Sequence, residues 1–138
     1  MGSDETTGPT SLDAAAMCSA AEAAVDGTLR SFVEFDDRDF RVLHVDDLTR
    51  SFYDDDDHML AHFEEIHAYV HVDFTEADLF TSELFPAADR VRYLATGFDL
   101  FTLVRVYVGD EGVFAALDPD EPVEPVVEAI EAVHDDGD

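Results

Sequence analysis

Lysine is absent from this chain, and so are asparagine, glutamine and tryptophan. Seven arginines are the only fixed cations against 34 aspartates and glutamates, which leaves a formal net charge of −27 at pH 7. So few cations exclude a nucleic-acid partner, because phosphate binding needs clustered Lys and Arg and an acidic surface repels the polyanion. The single cysteine, Cys18, excludes an intramolecular disulfide and a cysteine-rich zinc site. Its place among alanines reads as a small buried residue. No apolar run approaches the ~18 residues of a membrane-spanning helix, and the first residues lack the basic segment of a secretory leader. The expectation is a cytoplasmic protein with no membrane partner. Catalytic signatures are missing as well: no GxSxG elbow, phosphate loop, dinucleotide glycine pattern or HExxH pair occurs. A non-catalytic protein without a cofactor is predicted.

What is present is enough apolar material for one packed domain. Hydrophobic residues make up 46% of the 138, eleven of them phenylalanine, and they recur at regular spacing from Leu12 to Val133. The acidity therefore belongs to the surface of a folded chain. Such a surface repels itself unless salt screens it, and the Debye length falls from about 8 Å at physiological ionic strength to about 3 Å at 1 M. Residues 1–10 and 135–138 are polar and aperiodic, and are expected to be disordered tails around a domain spanning 11–134. The lysine-free, acidic composition resembles that of cytosolic proteins of salt-accumulating halophilic archaea, including their many small acidic proteins. That likeness implies a habitat and supplies no chemistry.

Periodicity gives the order of elements. Thr10 to Asp13 has the spacing of a capping box, so a helix is predicted from there to about Arg30 through an alanine-rich stretch. From Ser31 to Val45 the period becomes two around an Asp36 to Asp39 turn, which predicts a hairpin with Phe40, Val42 and His44 on one face and Arg41, Leu43 and Val45 on the other. A short helical turn carries Leu48 and Phe52. Met59, Phe63, Ile66 and Val70 predict a helix from about Asp57 to Tyr69, and Thr75 to Asp78 a cap for a short helix that Pro86 ends. Strands are predicted over Val91 to Thr96, Phe101 to Val108 and Val113 to Leu117, joined by turns at Gly97 to Leu100 and Gly109 to Gly112. A last helix starts near Pro122 or Pro125. The fold class is α+β: a single domain with about five antiparallel strands, a hairpin plus a three-stranded meander, packed with N-terminal, middle and C-terminal helices. This order resembles the roadblock and longin class of sandwich domains, which implies a module that pairs through helices or sheet edges. PAS-like and GAF-like sensor domains are the competing resemblance, and they imply a ligand pocket between the sheet and the helical middle.

Two sets of residues are candidates for chemistry. His58, His62, His67 and His71 fall within one short stretch, but on a straight helix they point at about 0°, 40°, 180° and 220° and share no site. A repeated His-Val-Asp triplet offers His44 with Asp46 and His71 with Asp73. Extended backbone puts each pair on one face, and if the pairs met, two imidazoles and two carboxylates would suit a divalent metal. The acid run Asp54 to Asp57 lacks the ligand spacing of a calcium loop and reads as solvated. Arg41, Arg90, Arg92 and Arg105 concentrate scarce cations in the sheet, either as an anion or partner contact or as cross-strand partners of acids.

The function these readings favour is a cytosolic regulatory or adaptor domain that presents apolar surface to a second copy of itself or to another protein. Phe80, Phe85, Phe98, Phe101 and Phe114 are the residues whose exposure would mark that surface. The alternatives are a small-molecule sensor and a metal-binding protein using the His and Asp ligands.

Overall fold

The computed structural model describes residues 9–137, so most of the expected N-terminal tail, and Asp138, lie outside the described residues. Eleven elements follow one another: α1 (Ala14–Ala24), β1 (Leu29–Asp36), β2 (Phe40–Val45), α2 (Asp47–Arg50), α3 (Asp56–His67), α4 (Val70–Leu79), a π-turn (Phe80–Leu84), β3 (Tyr93–Gly97), β4 (Thr102–Val108), β5 (Glu111–Leu117) and α5 (Val123–Gly137). The strands form one antiparallel sheet in the order β2-β1-β5-β4-β3. The fold is the single α+β domain expected from the hairpin and the meander. Among the described residues no helix is long and apolar enough to cross a membrane.

α1 and α5 lie side by side on one face of the sheet. Met17, Cys18 and Ala21 of α1 and Val126, Val127 and Ile130 of α5 meet Phe32, Val104, Val106, Val113, Ala115 and Leu117 in one continuous core. The same face buries a charge. Glu34, 1% exposed, accepts a 2.6 Å hydrogen bond from the Thr10 hydroxyl and sits 2.7 Å from Nε of its cross-strand neighbour Arg41. A buried carboxylate persists only with such partners.

The helix ends differ from the expected ones for identifiable reasons. With its hydroxyl on Glu34, Thr10 does not cap α1; Asp13 does, accepting from the Ala16 N–H. α1 stops at Ala24 instead of near Arg30 because the N–H groups of Asp26 and Gly27 bond to Glu121 and that of Thr28 to Asp118, which turns the chain into β1. α4 starts five residues before the expected cap. Thr75 lies inside it and returns its hydroxyl to the His71 carbonyl. The last helix, α5, runs through to Gly137, so residues 135–137, expected in a disordered tail, are helical.

The other sheet face is built in three cross-strand rows, fixed by the register of β1, β5 and β4. Ser31, Ala116 and Leu103 form the first, Val33, Phe114 and Arg105 the second, and Phe35, Gly112 and Tyr107 the third. Gly112 is required there, since a Cβ would come within 2.8 Å of the Phe35 ring and 2.6 Å of the Val106 carbonyl. α3 covers the second row through Met59 and Phe63, and α4 covers the third through Val70 and Phe74. The first row is left under looser cover.

Candidate functional site

That first row is the floor of an apolar groove of about 590 Å³. The cause lies in side-chain size. Ser31 and Ala116 are cross-strand neighbours with short side chains, whereas the next row has Val33 and Phe114 in the same places. The step in height leaves a trough. Leu48, Phe52, Tyr53 and Phe63 from α2, α3 and their connection form one wall, and Leu100 and Phe101 from the β3–β4 turn form the other. Phe52 and Leu100 are each 66% exposed, well beyond ordinary core neighbours. Tyr53 is fixed in the wall by a 2.7 Å hydrogen bond between its hydroxyl and Nδ1 of His62 and by an edge contact with Phe63.

One end of the groove is polar. Arg30 there is held 2.7 Å from Asp118 and 3.8 Å from Asp46, with its Nε buried and without a hydrogen-bond partner. Thr49 lines the same groove beside it and donates its N–H to the Asp46 carboxylate that caps α2. None of the fourteen lining residues is an aspartate or glutamate, in a chain where 34 of 138 are.

Further along the same face the sheet becomes polar and closed. Arg105 pairs with Asp73 of α4 at 3.3 Å, over a cavity of only about 50 Å³. The Tyr107 hydroxyl beyond it is buried without a hydrogen-bond partner; burial, and after it the Asp73 charge, raise its pKa and keep it a phenol. A second groove, of about 450 Å³, opens past Tyr107 between α4 and the β4–β5 turn, and Asp37, Asp78, Asp110, His71 and Arg90 edge it.

The proposed metal ligands are not brought together. A register shift between Phe32 and Val33 places His44 opposite Phe32, so it departs from the face of Phe40 and Val42. Its Nε2 lies 2.7 Å from the Leu29 carbonyl and its Nδ1 3.8 Å from Glu22 of α1. Asp46 caps α2 and pairs with Arg30. His71 and Asp73 belong to α4, where two residues span about 200° and point to different sides; His71 contacts the Ala68 carbonyl while Asp73 takes Arg105. Among the described residues no three His, Cys, Asp or Glu side chains converge as a ligand set.

The four arginines have different surroundings. Arg41 is on Glu34, Arg105 on Asp73, and Arg92 forms a two-pronged bond to Glu131 at 2.6 and 3.1 Å. Arg90 edges the second groove and lies within electrostatic reach of Glu131. Of the five phenylalanines, Phe85 and Phe98 are exposed, while Phe80, Phe101 and Phe114 are half-buried. Residues that sequence reasoning missed are Ser31 and Ala116, whose only signal is small size at strand positions that register makes neighbours. Cys18 is buried, and burial with Glu22 nearby pushes its thiol up to about 11, which leaves a poor nucleophile.

Fold and site thus define a small α+β domain whose open apolar surface outweighs any reactive constellation. The chain belongs to the family described as a domain of unknown function, DUF7522, whose model matches residues 15–136. No curated protein and no solved structure matches it.

Proposed function

We propose that the chain is a non-catalytic regulatory or adaptor domain that pairs with a second copy of itself through the outer side of α4, in the concentrated salt its composition suits. The observation that carries this reading is a stripe of exposed apolar side chains. Tyr69, Val72 and Leu79 repeat at helical spacing on the solvent side, and the π-turn, in which the Phe85 N–H bonds to the Phe80 carbonyl, adds one residue to the turn and continues the stripe at Leu84. With Phe85 these side chains are 45% to 66% exposed. They offer on the order of 500 Å² of apolar surface, a fair core for an interface that needs about 800 Å² per partner with its polar rim. Like charges around the stripe make pairing weak in dilute salt and stronger once salt screens them.

Light scattering in molar potassium chloride tests this. The expected mass is that of a dimer, shifting to a monomer for Leu79→Glu with Leu84→Glu and no loss of helix by circular dichroism. A monomer at every concentration for the unaltered chain ends the reading.

A second reading is favoured by the groove. A volume of about 590 Å³ between sheet and helical middle is in the range of small-molecule sites, roughly 300–1,000 Å³. The domain would then sense a ligand there.

A further inference from the structure

Resting on that second reading, we infer the chemical class of the occupant: an uncharged, flat, mainly aromatic molecule. Two features of the groove carry the inference.

Its walls and floor are mostly carbon, apart from the Ser31 hydroxyl and the Tyr53–His62 pair, which is already hydrogen-bonded to itself. The rings of Phe52, Phe63, Phe101 and Phe114 face a trough whose base is Ser31 and Ala116, and a trough between aromatic walls takes a planar body better than a bulky one. Its charge is balanced to the disadvantage of both kinds of ion. Arg30 is already met by Asp118 and Asp46, so that end carries one cation and two carboxylates. A carboxylate or phosphate arriving there faces net repulsion and loses its hydration to a carbon-lined site. A cation finds no lining carboxylate to replace its water, although acids are one residue in four elsewhere. An uncharged ligand avoids both costs.

Nile red, an uncharged planar dye with a ring carbonyl, is the probe. Titration in molar potassium chloride is expected to give one site per chain with a micromolar Kd. Anilinonaphthalene sulfonate, aromatic but anionic, is expected to bind at least tenfold more weakly. Ala116→Leu fills the trough from the floor and should weaken Nile red at least tenfold. Ser31→Val does so from the neighbouring strand and serves should the first variant fold poorly. Leu79→Glu with Leu84→Glu, on the far side of α4, should leave dye binding unchanged. If the sulfonate binds as tightly as Nile red and Ala116→Leu removes both, the groove is a ligand site but the uncharged class is wrong. If Nile red fails to saturate at one site, or neither groove variant weakens it, the ligand site itself is refuted along with its occupant.

Discussion

The two faces of this sheet have the same five strands behind them and opposite characters. The α1–α5 face is one core in which apolar residues from two long helices meet those of three central strands. The α3–α4 face is partitioned: two small clusters, each of three buried residues, flank an ion pair, with an open groove at either end. The contrast teaches where packing is continuous and where it is interrupted. A continuous core gives cooperative burial and leaves no room for an occupant, whereas a broken one supplies cavities and exposed rings at the expense of packing. The first face is closed, and the second is left open at both ends.

Substitutions that treat the faces alike should therefore give unlike results. The largest expected effect is on the closed face. Phe32 is fully buried between α1, α5 and the sheet, so Phe32→Ala should cost about 3–5 kcal/mol in denaturant unfolding. A loss below 1 kcal/mol would mean this face is not the main core. Cys18 reports on the same packing without mutation. With its thiol pushed up to about 11 from 9.0, alkylation at neutral pH should run about 100-fold slower than for an unshifted thiol, and slower still if access is limiting. A rate equal to that of a model thiol would place Cys18 outside the core.

On the α3–α4 face, neighbouring residues of one strand should differ. Gly112→Ala pushes against the Phe35 ring and the Val106 carbonyl and should lose about 1–3 kcal/mol. Ala116→Leu, four residues on, is at a buried residue that borders the groove; it adds more carbon toward that space and should cost less than Gly112→Ala, about 1 kcal/mol or under, while it closes the groove. Equal losses would erase the distinction between a packed and an open part of this face.

The smallest effect concerns the Arg92–Glu131 pair, which ties β3's approach to α5. The Arg92 hydrogen bonds hold the Glu131 carboxyl below its ordinary 4.5. A group with a depressed folded-state pKa contributes stability above its unfolded value and loses it as pH falls through the folded one. Melting temperatures of the unaltered chain and Glu131→Gln should thus differ slightly at pH 6 and converge as the pH falls below 4.5 through the lower folded-state value. A gap that widens on acidification contradicts the pairing.

Much of the sheet was legible in the sequence because period-two runs are short and bounded by visible turns. Gly109 takes the positive φ of 65° that its turn demands, and each expected strand lies within two residues of an observed one. α4 was less legible, for it has apolar residues inward at Val70 and Phe74 and outward at Val72 and Leu79, which destroys the one-sided pattern that marks a helix. The His-Val-Asp reading went astray for two separate reasons. A bulge at Leu43, next to His44 on the same strand, shifts the register by one residue, and nothing in the local sequence announces it; His71 and Asp73, read as extended, are helical. The groove was invisible because it depends on which small residues of distant strands become neighbours.

That last dependence makes the pairing of Ser31 with Ala116 a dial on the family's surface. A relative with valine or leucine at both equivalent places would have this face sealed level with the Val33 and Phe114 row. One with glycine there would have a deeper trough. Two aligned positions, read together across sequences, would sort members with an open groove from members with a sealed one.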